Sequence, residues 1–215
     1  MKLCMIGTGY VGLVSGVCFS DLGNTVYCVD NNKNKIDLLN DGKVPIYEPG
    51  LEEILKKNYK EKKLIFTTDL KKAAGGFATG VCIITSKEAD GTIVGMTASS
   101  FVSVSFDPPL VSFFVDNNAT FVKRLQTGAT FGISILSSDQ QKDSNHFAGY
   151  PDPEHQIVLD ESEGFPLIQD PLAWYIAKAI QIIPTGDHHM ALCSVEKLGR
   201  NDKKSPLLYF SGKYL

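Results

Sequence analysis

The feature that most constrains the fold of this chain is the glycine pattern GTGYVG at residues 7–12. It follows a short apolar run at residues 2–7 and precedes apolar residues at helical spacing, which end at Gly23. A second apolar run, residues 25–30, ends in Asp30, which lies 18 residues after Gly12. The order of strand, GxGxxG turn, helix, strand and acid predicts a β-α-β unit of the dinucleotide-binding type.

Each residue of this pattern has a physical role in such a site. Gly7 permits the tight turn, Gly9 lets a pyrophosphate approach the backbone, and Gly12 lets the helix pack close to the strand. Asp30 is then the acceptor for the ribose hydroxyls of an ADP-like group. The alternative is that the glycines serve only the turn.

Composition limits the class of protein. The chain has 215 residues, a net charge of −3 and 43% hydrophobic residues, which permits one or two globular domains. Residues 1–74 carry a net charge of +2 and residues 75–215 carry −5, so neither part is basic enough for nucleic-acid binding. The absence of a long apolar run and of a signal peptide predicts a soluble, cytoplasmic protein without membrane contact. The five cysteines are odd in number and lie in apolar runs, so we expect reduced core residues.

The first part of the chain resembles a known family. Residues 1–14, 45–52 and 64–69 are similar to the N-terminus of the UDP-glucose dehydrogenase family. The resemblance covers about residues 1–70 and implies a β-α-β-α-β Rossmann-like half domain. The family's second nucleotide-binding half and catalytic-cysteine motif do not follow, and neither Cys82 nor Cys193 lies in such a motif. We therefore expect no UDP-glucose oxidation, while binding of an ADP-like group at Gly7, Gly9, Gly12 and Asp30 stays open.

From about residue 69 the pattern changes to short strands and frequent turns. Residues 69–74 are compatible with a short helix, and residues 117–125 predict another. Strands are predicted at residues 79–85, 92–97, 102–105, 110–115 and 129–136, with a late antiparallel pair at 173–183 and 190–198. This frequency of hairpins predicts a mainly β fold built as a small antiparallel barrel. The predicted domains are residues 1–70 and residues 71–215.

Three segments of this second part carry another resemblance. Residues 76–81, 95–111 and 186–188 are similar to the flavin reductase family with the FMN-binding split-barrel fold, and residues 139–141, 147–149 and 206–209 agree. The resemblance implies a homodimer with flavin, FMN or FAD, near the subunit interface. It also implies NADH or NADPH as hydride donor and, in many members, a partner monooxygenase that receives the reduced flavin.

The residues 95–103 support flavin binding in their own right. Thr97, Ser99, Ser100 and Ser103 place four hydroxyls within seven positions beside the flexible Gly95, and such a loop offers hydroxyl and N–H donors to a flavin. From the residues alone an ordinary Ser/Thr-rich connection is also compatible, and the resemblance favours the flavin site. Ser134 stands where the family usually has asparagine, and Phe147 is equally compatible with a core position. The predicted flavin-binding set is Gly95, Met96, Thr97, Ala98, Ser99, Ser100, Ser103, Ser134 and Phe147.

One histidine is the candidate catalytic residue. His188 follows Gly186 and Asp187, and the resemblance implies that it lies on the nicotinamide side of the flavin. Strand alternation points His189 the other way, and two adjacent histidines without further ligands predict no metal site. Because hydride passes directly from nicotinamide to flavin, the protein has only to stack the rings and exclude water, so no catalytic triad is expected.

Three hypotheses follow from the sequence. The first is an NAD(P)H-dependent flavin reductase that carries a truncated nucleotide-binding module. The second is a flavin-binding module with little turnover, in which the half domain blocks the donor site or alters the dimer geometry. The third makes residues 1–70 an interaction element whose open sheet edge pairs with another subunit or with the barrel.

Overall fold

In the computed structural model, which describes residues 1–69 and 77–215, the chain divides into two units. The N-terminal unit comprises Met1–Ala78 and Phe210–Gly212, and the C-terminal unit comprises Thr79–Tyr209 and Lys213–Leu215. The boundary predicted between residues 70 and 71 lies outside the described residues, as does most of the short helix predicted at residues 69–74. Both stay predictions.

The N-terminal unit is a small parallel sheet with helical crossovers. Its elements are β1 (Lys2–Ile6), α1 (Tyr10–Asp21), β2 (Thr25–Val29), α2 (Lys33–Asn40), α3 (Leu51–Lys60) and β3 (Leu64–Thr67). The strands are parallel in the order β1-β2-β3, so β2 is central. The predicted β-α-β-α-β order holds for its strands, but two helices instead of one join β2 to β3. Pro45 and Pro49 lie between α2 and α3, and proline interrupts a helix because it lacks an N–H donor.

Apolar residues at helical and strand spacing build the core of this unit. Leu13 and Val17 of α1 pack with Val26 and Cys28 of β2 and with Leu55 of α3. The α2 helix begins where the Asn32 side chain accepts a hydrogen bond from the Lys35 N–H, which supplies a partner for one of the free N–H groups of the first turn.

The C-terminal unit is mainly β, as the sequence predicts. Its strands are β4 (Thr79–Gly80), β5 (Cys82–Lys87), β6 (Ile93–Ala98), β7 (Val102–Phe106), β8 (Pro109–Asp116), β9 (Thr130–Ile135), β10 (Leu159–Asp160), β11 (Leu167–Ile168), β12 (Ala173–Thr185), β13 (His188–Arg200), β14 (Leu208–Phe210) and β15 (Lys213–Tyr214). The large sheet has seven antiparallel strands in the order β6-β5-β9-β12-β13-β8-β7, and β4, β14 and β15 form a three-stranded sheet. A 3-10 helix spans Thr120–Arg124, within the helix predicted at residues 117–125, and α4 spans Gln141–Phe147.

The long β12–β13 hairpin crosses the middle of this sheet. It turns at Gly186, whose positive φ of 70° suits glycine, and it is the late antiparallel pair that the sequence predicts. Phe113 and Phe131 pack edge to face in the core at a centroid distance of 5.3 Å. Trp174 lies against Gly199 on the neighbouring strand, where a Cβ atom would come within 2.5 Å of the indole ring.

The five cysteines are free thiols with different surroundings. Cys28, Cys82 and Cys193 are buried, and burial raises the pKa of each thiol to about 12. Cys4 is half-buried, whereas Cys18 is exposed on α1, so the core placement expected for all five is wrong for Cys18. The reason is that α1 buries a different face, formed by Leu13, Gly16, Val17 and Ser20. No helix within residues 1–69 and 77–215 is long and apolar enough to cross a membrane.

Candidate functional site

A cleft of about 600 Å³ in the C-terminal unit collects most of the predicted flavin-binding residues. Its walls come from β6 and the following loop, the end of β8, the 3-10 helix, the end of α4 and the start of β13. The volume lies within the range of small-molecule sites. The lining residues are Gly95, Met96, Thr97, Ala98, Ser99, Ser100, Phe114, Asp116, Ala119, Thr120, Phe121, Phe147, Ala148, Gly149 and His188.

Gly95 and Phe147 form a tight contact on one wall. A Cβ atom at residue 95 would come within 2.6 Å of the Phe147 ring, so the absence of a side chain lets α4 approach β6. The Phe147 ring is also packed against a small core cluster around Val81, Ile83 and Leu136. Phe147 is therefore both a core aromatic and a cleft residue, which combines the two interpretations that the sequence left open.

Three of the predicted hydroxyl residues line the cleft, and they differ in their hydrogen-bond partners. Thr97 Oγ1 donates to the Ser144 carbonyl at 2.6 Å, and Ser100 Oγ accepts from the Phe114 N–H at 3.1 Å. Ser99 is exposed and has no hydrogen-bond partner among residues 1–69 and 77–215. Its hydroxyl and N–H are therefore available to a ligand, while Thr97 and Ser100 hold the walls together.

His188 is oriented by a neighbouring carboxylate. Its Nδ1 lies 2.7 Å from Asp187 Oδ1, and it pairs across the sheet with Asp116 of β8. Since paired residues of adjacent strands project to the same face, His188 and Asp116 both line the cleft. His189 instead lies 2.7 Å, through Nδ1, from Asn117 Oδ1 and is not part of the lining, as strand alternation predicts.

Two predicted residues lie outside this lining. Ser103 is exposed on β7 opposite Val111, and Ser134 is fully buried on β9. The Ser134 hydroxyl accepts from the Ile168 N–H at 2.9 Å, which gives it a structural partner. The cleft thus brings together Gly95 to Ser100, Phe147 and His188, but not these two serines.

Sequence reasoning missed several lining residues. Phe114, Asp116 and Phe121 were not in the predicted set because an aromatic or acidic residue in a strand or short helix has no chemical signature of its own. The available signal was alternation along β8, which puts Phe114 and Asp116 on the face opposite the core residues Phe113 and Val115.

The electrostatics of the lining are simple. Asp116 is the only Asp, Glu, Lys or Arg among the lining residues that the structure describes. A phosphate bound there would therefore rely on hydroxyl and backbone N–H donors instead of a cation. Among the described positions no cluster of metal-ligating side chains occurs.

The glycine loop of the N-terminal unit has the geometry expected for a tight helix–strand approach. Gly7 has a positive φ of 89°, and a Cβ atom at Gly12 would overlap the Gly7 carbonyl oxygen. Gly9 precedes α1 and has open space around it. Gly7 and Gly12 are thus required by the turn and the packing, whether or not a nucleotide binds.

The Asp30 carboxylate accepts four hydrogen bonds from the protein, three of them at Oδ2. It accepts from the Thr8 N–H and hydroxyl at 2.9 and 2.7 Å, from the Asn32 N–H at 3.0 Å and from Lys35 Nζ at 3.0 Å. These hydrogen bonds, that of Asn32 first, hold the pKa of Asp30 well below its usual range. A ribose hydroxyl at Oδ2 would have to displace one of three donors, whereas Oδ1 accepts only from the Asn32 N–H.

A second cleft of the N-terminal unit, about 740 Å³, is not formed by these residues. It lies over the segment from Val44 to Gly50 and the start of α3, and neither the glycines of residues 7–12 nor Asp30 line it. Glu48, Glu52 and Glu53 face a single cation, Lys56, in its lining, which is unfavourable for a nucleotide phosphate.

Comparison with known proteins gives two family matches. The model of the flavin reductase like domain matches residues 74–215, and that of the UDP-glucose/GDP-mannose dehydrogenase NAD binding domain matches residues 1–103. An NADH-dependent flavin reductase of Rhodococcus sp is 36% identical over 147 residues, which are 67% of this chain and 83% of that protein. The reductase component of 4-hydroxyphenylacetate 3-monooxygenase of Thermus thermophilus is 32% identical, over 67% of this chain and 92% of that protein.

A solved structure shows the same similarity. A flavin reductase in its native state matches with a TM-score of 0.64 and 36% identity, over 68% of this chain and 94% of that one. The chain belongs to the flavin reductase like family, and it is by this membership a flavin oxidoreductase.

The N-terminal match is shorter. A UDP-glucose 6-dehydrogenase of Rhizobium meliloti is 55% identical over 73 residues, which are 34% of this chain and 17% of that protein. The chain therefore spans about a sixth of that relative's length. The two family models overlap over residues 74–103, most of which the structure places in the C-terminal unit.

Proposed function

We propose that the cleft between β6, α4 and β13 binds FMN or FAD and that the chain reduces it with NADH or NADPH. The observation that carries this proposal is the meeting of the uncommitted Ser99, aromatic walls and the oriented His188 in one cleft. The similarity to flavin reductases over the same residues supports it.

The residues of the cleft fit a flavin by their chemistry. Phe114, Phe121 and Phe147 give an apolar wall for a planar ring, and Ser99 with its N–H gives donors for polar edges or a phosphate. We propose Gly95, Met96, Thr97, Ala98, Ser99, Ser100 and Phe147 as the flavin-binding residues. In this proposal Ser103 and Ser134, outside the lining, support the sheet.

The reaction requires few chemical contributions from the protein's side chains. A flavin held by the segment from Gly95 to Ser100 and by Phe147 would supply the electron sink for a hydride from reduced nicotinamide. The apolar walls exclude water from the ring faces, and Asp187 orients His188 at the cleft, where its imidazole can hydrogen-bond the donor nucleotide. No proton relay is required for this transfer.

We propose NADH as the preferred donor. A 2′-phosphate is usually held by arginine or lysine, and no Lys or Arg occurs among the described lining residues, where Asp116 adds a negative charge. The relative from Rhodococcus sp is named as NADH-dependent. The measurement is the ratio of kcat/KM for NADH and NADPH, and a ratio below one would contradict the preference.

The same proposal includes a partner enzyme, a split-barrel fold and a homodimer. One relative is the reductase component of a monooxygenase, so we propose that reduced flavin passes to a partner monooxygenase. The seven-stranded sheet fits a split barrel, and Met190, Leu192 and Phe114 give its non-core face a half-buried apolar surface suited to a homodimer. Size measurement of the purified chain tests the dimer.

The second candidate function is a flavin-binding module with little turnover, in which the N-terminal unit is an interaction element. The three protein donors at Asp30 Oδ2 favour a structural role for that unit over nucleotide binding. This candidate predicts flavin absorbance without NADH oxidation. Neither candidate predicts UDP-glucose oxidation.

The test is a titration of the full chain with FMN and with FAD, followed by NADH oxidation at saturating flavin. Ser99→Ala is the diagnostic variant and Ser103→Ala is its matched control from the adjacent strand. Weaker flavin binding in Ser99→Ala alone supports the proposed cleft. No binding of either flavin at micromolar concentration would overturn the proposal, and an effect confined to Ser103→Ala would move the site.

A further inference from the structure

The wall of the cleft that carries Phe147 is a short helix held by hydrogen bonds from two directions. Thr97 of β6 donates its hydroxyl to the Ser144 carbonyl at 2.6 Å, which ties the middle of α4 to the strand that lines the cleft. Ser144 is completely buried, and Phe147 follows it by three residues. The position of α4 therefore sets where the Phe147 ring lies.

The second tie comes from the last strand of the chain. The Ser144 hydroxyl lies 2.9 Å from the Tyr214 hydroxyl, and Tyr214 is on β15. The Tyr214 ring packs edge to face on Tyr209 of β14 at a centroid distance of 5.2 Å. Tyr214 is not part of the cleft lining, and its hydroxyl is linked to the cleft wall through Ser144.

The geometry points to Tyr214 as a positioning residue of the flavin cleft. Its hydroxyl fixes the Ser144 side chain from one side, while Thr97 fixes the Ser144 carbonyl from the other, so α4 has one position against β6. This inference rests on the proposed function, because the cleft has to be the flavin site for the position of α4 to matter.

Loss of the Tyr214 hydroxyl should change the wall of the cleft for two reasons. The Ser144 hydroxyl is buried, and a buried hydroxyl without a partner destabilises the arrangement that buries it. The Phe147 ring has little room to move toward β6, because it fills the space that a Cβ atom of residue 95 would need. A shift of α4 therefore changes the wall that a flavin ring would contact.

The experiment compares Tyr214→Phe, Ser144→Ala and the double variant with the wild-type chain. Tyr214→Phe keeps the ring contact with Tyr209 and removes only the hydroxyl. Tyr209→Phe is the matched control, because it removes the other hydroxyl of the same ring pair. The Tyr209 hydroxyl has no hydrogen-bond partner in the part of the chain that the structure describes. FMN and FAD are the probes, and the readouts are the flavin Kd, and kcat and KM for NADH at saturating flavin.

We expect Tyr214→Phe and Ser144→Ala each to raise the flavin Kd about fivefold, the effect of one lost hydrogen bond. The double variant should be no weaker than the single variants, because both remove the same bond. We expect kcat at saturating flavin to change less than twofold, and Tyr209→Phe to bind like the wild type. This split separates positioning of the cleft from a general loss of folded protein.

The outcomes distinguish this inference from the proposed function. If the wild type binds neither flavin, the proposed function fails and the inference with it. If the wild type binds flavin and both single variants bind it equally well, only the positioning role is overturned. Multiplying losses in the double variant would also overturn it, since they would show independent effects. If Tyr214→Phe does not fold, Ser144→Ala tests the same bond from its other end.

Discussion

In the N-terminal unit the carboxylate of Asp30 accepts four hydrogen bonds from the protein, whereas in the C-terminal unit Ser99 lies at a cleft with none from the described residues. Both residues belong to segments that resemble nucleotide-binding families. The difference teaches that a binding pattern can persist as a folding element when its polar groups are satisfied internally. Polar groups left without internal partners, next to an apolar wall, are the better indicator of a site.

The largest expected effect is on the glycine that the N-terminal turn requires. Gly12→Ala places a Cβ atom on the Gly7 carbonyl oxygen, and because a backbone atom cannot move aside cheaply, we expect a loss of about 3 kcal/mol in the stability of this unit. Urea denaturation followed by far-ultraviolet circular dichroism measures it. Gly9→Ala, which has open space, should cost about 1 kcal/mol or less.

Equal losses in the two glycine variants would contradict the packing role of Gly12. The same comparison separates the units, because flavin binding in the C-terminal unit should be unchanged in both variants. A loss of flavin binding in Gly12→Ala alone would show that the two units are coupled.

The corresponding close approach in the C-terminal unit should affect binding. Gly95→Ala pushes a Cβ atom into the Phe147 ring, and overpacking of about 1–3 kcal/mol should weaken flavin binding about tenfold. Phe147→Leu added to Gly95→Ala removes the clash and should recover part of the affinity. Flavin titration checks both variants, and a Gly95→Ala variant with wild-type affinity would show that the ring moves away without consequence.

Next in size is the effect of the Asp30 carboxylate. Asp30→Asn removes the ion pair with Lys35 and weakens the accepted hydrogen bonds, so we expect a loss of about 1.5 kcal/mol in stability at neutral pH. Because the folded pKa of Asp30 lies below its unfolded value of about 3.9, this stability is present above pH 4 and is lost as the pH falls.

Urea denaturation of the wild type and Asp30→Asn between pH 7 and pH 3 gives the measurement. The difference between the two proteins should shrink toward the acid end. Asp37→Asn is the control, because the Asp37–Lys33 pair is exposed and contributes little. A difference that stays constant with pH would contradict the assigned role of the Asp30 charge.

The smallest expected effect concerns the histidine at the cleft. His188→Asn removes the imidazole that Asp187 orients, and we expect KM for NADH to rise about threefold with a smaller change in kcat. His189→Asn, whose imidazole contacts Asn117 away from the cleft, should leave both constants unchanged. Steady-state kinetics at saturating flavin measure kcat and KM for both variants. Equal effects of the two substitutions would contradict the different roles assigned to His188 and His189.

Much of the fold follows from the sequence because its rules are local. The requirement for glycine at Gly7 and Gly12 follows from their spacing alone, and the alternation of β13 separates His188 from His189. The sequence also contains the signal for two helices between β2 and β3, since Pro45 and Pro49 interrupt any single helix.

The features of the site that the sequence does not predict depend on contacts between residues that are far apart in the chain. Gly95 and Phe147 were both predicted site residues, but their contact spans 52 positions and arises only when α4 packs on β6. The hydrogen bond from the Ile168 N–H to Ser134, and the burial of that serine, have the same origin. Sequence patterns identify which residues have the right chemistry, and tertiary packing decides which of them remain available to a ligand.

Trp174 gives the contrast between the units a direct optical consequence. It is the only tryptophan of the chain, and its indole lies against Gly199 inside the C-terminal unit. Its intrinsic emission therefore reports the melting of that unit alone, whereas a maleimide dye on the exposed Cys18 reports the other. One singly labelled chain thus carries two separate spectroscopic signals, one for each of its sequence families.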